Sequence, residues 1–191
     1  MVRFNLVITL LLMISIAVKA ELTNRMFDVR HVGYAEGLSS QRVFSIVEDG
    51  DGVMWIATKT GIDRYNGHTV KNYYLPGSFY YGDLAGRRLY LLYDAQQELF
   101  AYDHTGRIYR YSTILDHFEQ VLHLGQLIQE EVILNKLCLD SDGTWWMGAD
   151  KGLYKQEADH RIVAVLKGQY VNDIAFAGES LFVGTSNGVW P

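Results

Sequence analysis

One cysteine, Cys138, in 191 residues excludes an internal disulfide framework and any cysteine-based zinc site, since both need further thiols. Two prolines exclude collagen-like and Pro-rich linker chains, even beside 18 glycines. Positive charge is also short, with 17 Lys+Arg against 22 Asp+Glu and a formal net charge of −5. That balance argues against binding nucleic-acid backbone, which takes clustered cations. Beyond residue 20 no apolar run is long enough to span a bilayer. There is no Gly-rich phosphate loop, no Gly-x-Ser-x-Gly elbow and no His-Glu-x-x-His spacing. His31, His68, His104, His117, His123 and His160 therefore read as solvated surface residues, and neither a metal nor a cofactor is expected.

What is abundant is apolar and aromatic. At 49% hydrophobic residues the chain is too apolar for disorder, and 13 tyrosines spread along a Gly-punctuated sequence point to an all-β fold. Residues 1–20 stand apart. Arg3 precedes an apolar stretch from Phe4 to Val18, and Val18-Lys19-Ala20 ends it with a small-x-small site. This is the shape of a secretory signal, with cleavage expected after Ala20. An uncleaved anchor is the competing reading, but the run is shorter than the roughly 20 residues a span needs.

The rest is repetitive. Ile46, Asp49, Gly52, Trp55 and Gly61 are echoed by Leu137, Asp140, Gly143, Trp146 and Gly152 at the same offsets. A weaker copy keeps Leu91, Asp94, Phe100 and Gly106, and a last one keeps Ile174, Phe182 and Gly188. Each copy reads as short antiparallel strands joined by Asp/Gly turns, a unit recurring every 40-odd residues as in propeller blades. The expected fold is an all-β, partial β-propeller of about four blades of four-stranded antiparallel sheet. The blades are expected at 42–80, 87–124, 133–166 and 170–191, with 27–32 as a candidate closing strand. The strongest helical candidate, Leu124 to Leu137, is short.

The pattern apolar-x-x-apolar-x-x-Asp-x-x-Gly-x-apolar-Trp-apolar-Gly/Ala-Thr-x-x-Gly resembles the two-component regulator propeller repeat. The opening Phe27-Asp-Val-Arg-His-Val32 with Glu36-Gly37-Leu38-Ser39 is similar to the family's start. The likeness is specific in the first and third copies and poor in the second, where Phe100-Ala-Tyr and Gln97 depart from it. Such a resemblance implies the periplasmic, ligand-sensing region of a histidine kinase, commonly a hybrid one, that detects oligosaccharides and works as a homodimer. It implies no catalysis by these residues, no nucleic acid, and a membrane contact only through regions further along the chain. Seven blades at this period would need roughly 300 residues, so the chain is expected to be an N-terminal piece of a ring. A closed four-bladed ring is the rival.

Three candidate chemistries compete with structural readings. Asp49-Gly-Asp51-Gly52 and Asp140-Ser-Asp142-Gly143 begin like calcium loops but lack the later ligands, so they are expected to be hairpin turns. Trp55, Phe100, Trp146 and Phe182 could stack sugars, yet recurrence once per blade favours packing between blades. Tyr73-Tyr74 and Phe79-Tyr80-Tyr81 flank Pro76-Gly77 in a blade connection, where aromatic faces suit sugar rings. Ligand-binding residues are not fixed by the pattern. A propeller glycosidase or lyase, and a pure interaction scaffold, remain alternatives to sensing.

Overall fold

Alternation of apolar and polar residues between Asp/Gly turns builds fifteen strands among the described residues. The computed structural model describes residues 29–76, 87–178 and 180–191, so the expected secretory signal at 1–20 and residues 27–28 of the candidate closing strand lie outside it. Residues 32–191 form one compact unit. The first sheet holds β1 (Val43–Glu48), β2 (Met54–Thr58), β3 (Ile62–Tyr65) and β4 (Val70–Tyr73). The second holds β5 (Leu89–Tyr93), β6 (Leu99–Asp103), β7 (Arg107–Ser112) and β8 (His117–His123). The third holds β9 (Leu134–Leu139), β10 (Trp145–Ala149), β11 (Gly152–Gln156) and β12 (Ile162–Lys167). In the fourth, β13 (Val171–Ala177), β14 (Ser180–Thr185) and β15 (Gly188–Trp190) make three strands rather than four. Every sheet is antiparallel with neighbours in sequence order, the meander of a propeller blade. Residues 29–32 are in no strand.

A five-residue helix, α1 (Leu124–Ile128), occupies only the front of the expected helical stretch. Gln129 ends it in the left-handed region at φ 58°, and the chain then re-extends into β9.

Because side chains alternate along a strand, each blade offers one face forward and one back. Trp55 and Ala57 face the second blade, joining Leu89, Leu91 and Phe118 in one core cluster. Phe100 and Tyr102 face the third, meeting Leu134, Leu137 and Met147. Trp146 lies against the cluster of Leu153, Val171, Ile174 and Val183, with the Phe176 ring 6.3 Å away. The small residue two places after the aromatic has a steric reason. A Cβ on Gly148 would come within 2.6 Å of Val171 in the next blade. The second blade carries Tyr102 there instead, stacked on Tyr90 at 5.3 Å, and burial pushes its phenol up to about 12.

Among the described residues no fourth core cluster joins the last blade to the first. Position for position, Trp55 and Phe100 are 2% exposed, Trp146 is half-buried, and Phe182 is 38% exposed. Ile46 is likewise 53% exposed, although its counterparts Leu91, Leu137 and Ile174 are buried.

Truncation of these aromatics should scale with that cover. Trp55→Ala is expected to cost about 3–5 kcal/mol, Trp146→Ala less, and Phe182→Ala about 1 kcal/mol, all read from denaturant midpoints.

Candidate functional site

The repeated aspartates are structural. Asp49 Oδ1 accepts the backbone N–H groups of Asp51 and Val53, both at 3.0 Å, while Oδ2 accepts the Trp55 indole N–H at 2.8 Å. Asp140 repeats the circuit with Asp142 at 3.1 Å, Thr144 at 2.8 Å and the Trp146 indole at 3.0 Å. One carboxylate thus closes the hairpin and fixes the rotamer of the interblade tryptophan. In the second blade Asp94 still accepts the N–H of Glu98 at 2.7 Å, but Phe100 has nothing to donate. There Gln97 takes the left-handed position at φ 64° that Gly52 and Gly143 hold at 77°.

At the other end of each blade, the turn after the second strand meets the residue preceding the first. Lys59 N donates to Arg42 O, His104 N to Arg88 O, Asp150 N to Ile133 O and Ser186 N to Tyr170 O. Thr58 and Thr185 brace their turns by donating to the carbonyls of Gly61 and Gly188. Asp103, fully buried, does so in the second blade by accepting from Thr105 N, Thr105 Oγ1 and Arg107 N. Here the blades stop being equivalent, because α1 is inserted on this end. Leu124 N donates to Gly106 O, and His123 Nε2 lies 3.2 Å from Thr105 O.

The result is a groove of about 850 Å3 across the ends of the second and third blades. Its second-blade wall carries Arg87, His104, Arg107 and His123; its third-blade wall carries Glu130, Glu131, Asp150 and Lys151. Asp150 Oδ1 accepts Ile133 N at 2.8 Å, and Lys151 Nζ is 3.6 Å from Glu130. The volume falls within the roughly 300–1,000 Å3 of small-ligand sites.

Two histidines expected on the solvated surface, His104 and His123, are thus half-buried groove residues, while His31, His68, His117 and His160 are exposed. They lie 19 residues apart in sequence, and only the β7–β8 pairing and the β6–β7 turn bring them together. Of the aromatic candidates, Tyr73 is buried and Tyr74 is 62% exposed. Phe79-Tyr80-Tyr81 lie outside the described residues. The Tyr73 and Tyr111 hydroxyls both donate to Asp116 Oδ1 at 2.7 Å, and Lys71 pairs with the same carboxylate. This ties the outer strand of the first blade to the outer hairpin of the second. Lys71, then the two hydroxyls, hold the Asp116 carboxyl well below the usual range. Cys138 is half-buried opposite Trp146, and burial pushes its thiol up to about 12.

Residues 37–60 match the family model described as two component regulator propeller. That stretch is thus similar to a two-component regulator propeller repeat. Its fold is also that of solved extracellular domains. That of BT4673 from B. thetaiotaomicron, described as a hybrid two component system, superposes with a TM-score of 0.66 at 21% identity. That of BT3049 from the same organism gives 0.62 at 17%. These alignments cover 88% and 81% of this chain but 23% of each of those, so the chain spans about a quarter of their length. A streptogramin B lyase is similar over 81% of this chain and 56% of its own, at 15% identity and a TM-score of 0.55. At such identities the likeness is one of fold. No curated protein matches.

Two outcomes are expected from the turn chemistry. Gln97→Gly should raise stability by about 0.5–1 kcal/mol, by relieving the left-handed side-chain clash, measured as a shift in denaturant midpoint. Burial raises the Asp140 pKa, but the Trp146 indole and the backbone donors of Thr144 and Asp142 outweigh it, leaving it below its ordinary 3.8. Its contribution to stability is therefore complete above that value and lost as pH falls through the lower folded value. Asp140→Asn should flatten the fall in melting temperature below about pH 4.

Proposed function

We propose that this chain forms part of the ligand-sensing region of a two-component regulator and binds an oligosaccharide in the groove of the second and third blades. The observation that carries the reading is the two-component regulator propeller repeat at residues 37–60. The groove supports it, because it sets hydrogen-bonding side chains from two blades around a concave surface of ligand size. Carboxylates such as Glu131 and Asp150 accept sugar hydroxyls, and Arg and His side chains donate to ring and glycosidic oxygens.

In this reading residues 1–20 export the chain to the periplasm, and the region works as a dimer. Binding, not chemistry, is the output. A ligand bridging two blades favours one interblade geometry over another, and that bias is what a kinase elsewhere in the regulator reads.

Titration calorimetry with oligosaccharides released from plant and host polysaccharides tests this. One saturable site per chain is expected, weakened about tenfold by Glu131→Ala. Absence of binding across the series overturns the reading, and appearance of shortened or unsaturated products replaces it with an enzyme.

A further inference from the structure

One cross-strand pair recurs in every blade, where the inner strand meets the second. It is Ser45 with Ala57 in the first blade, Lys136 with Gly148 in the third and Asp173 with Gly184 in the fourth. In the second blade the same register sets Tyr90 opposite Tyr102, with the rings stacked at 5.3 Å. Paired residues share one sheet face, and Ala57 and Tyr102 show that it is the face turned to the next blade. The small pairs let that blade approach. Ser45 Oγ accepts the Leu91 N–H at 3.2 Å, and Lys136 Nζ reaches Asp173 at 3.2 Å. The Cα traces of β1 and β5 run within 8 Å of each other, as do those of β9 and β13. The inner strands β5 and β9 do not run together in that way. Tyr102 lies in the core cluster between them, buried and hydrogen-bonded to the Leu137 backbone. A hollow lies at each end of this joint. One is the groove, and the other, at the hairpin end, is a cavity of about 390 Å3 between Glu98 and Arg110 of the second blade and Trp145 and His160 of the third.

We propose that the Tyr90–Tyr102 stack is the spacer that sets the width of the groove, and with it the girth of ligand the groove admits. Interiors are close-packed, so an inserted phenol ring is not absorbed and the third blade stands off by its bulk. The stand-off matters for recognition because the groove walls differ in sign. In a joint as tight as the first, Arg87 and Arg107 would be drawn onto Glu131 and Asp150 instead of onto a ligand. Leu124 and Val132, from α1 and the segment after it, cover one end of the joint, whereas the stack stands between the sheets. Width is a property of packing, so the spacer holds or fails apart from the sensing reading, which concerns the ligand.

The test measures distances between paired spin labels in the full chain, with the lone Cys138 replaced by Ala. Labels at the exposed Ala95 and Ser141 span the second joint, and labels at the exposed Asp51 and Ala95 span the first as a control. Tyr90→Ser with Tyr102→Ala installs the first blade's pair in the second. This double variant is expected to shorten the 95–141 distance and leave the 51–95 distance unchanged, while Tyr102→Phe, which keeps the ring, leaves both unchanged. Thermal melts report folding; if the double variant shows no transition, Tyr102→Leu is read against the same outcomes. An unchanged 95–141 distance in the folded variant overturns the inference, and so does an equal shortening in Tyr102→Phe.

Discussion

Each blade must cover the apolar face of another, and most of the structure follows from that constraint. A four-stranded meander is apolar on two faces, so neither face can be left to water without losing the burial that drives folding. The solution is repeated at three interfaces. An aromatic on the second strand leans forward, and aliphatic side chains of the next inner strand fill the space; in the first and third blades a small residue two places later, Ala57 or Gly148, lets the next blade close in. Trp55 and Phe182 occupy the same place in this scheme, but Trp55 is covered by the second blade whereas among the described residues no blade packs on Phe182.

Given that packing, the two ends of the blades take different work. At one end Asp49 and Asp140 hold the hairpins and aim the indoles, so sequence there is committed to architecture. At the other, backbone bonds between each turn and the residue before the first strand hold the shape, braced by Thr58, Asp103 and Thr185, and the remaining turn side chains carry no shared architectural bond. The groove lies at that freer end, where α1 adds a wall that the repeat does not supply.

The repeat made the blades, the turn aspartates and the forward-facing aromatics readable from the sequence, because each recurs at a fixed offset. The groove was not readable in the same way. Its residues come from the approach to β5, the β6–β7 turn, the end of β8, α1 with the segment after it, and the β10–β11 turn, where the repeat fixes the closing glycine but not the side chains that line the groove. Two local departures also escaped the pattern. Gln97 keeps the glycine geometry without being glycine, since the backbone bonds of the turn hold it there. Trp146 keeps its bond to Asp140 yet is only half-buried, because the three-stranded fourth sheet covers less of it.

The Asp116 clasp has a mechanical consequence. Packing alone resists pulling two blades apart but lets them pivot, since apolar contact has no direction. Two hydroxyls and an ammonium converging on one carboxylate at the outer rim add direction to the contact between the first and second blades. A pivot there has to stretch those bonds as well as slide the apolar faces past each other.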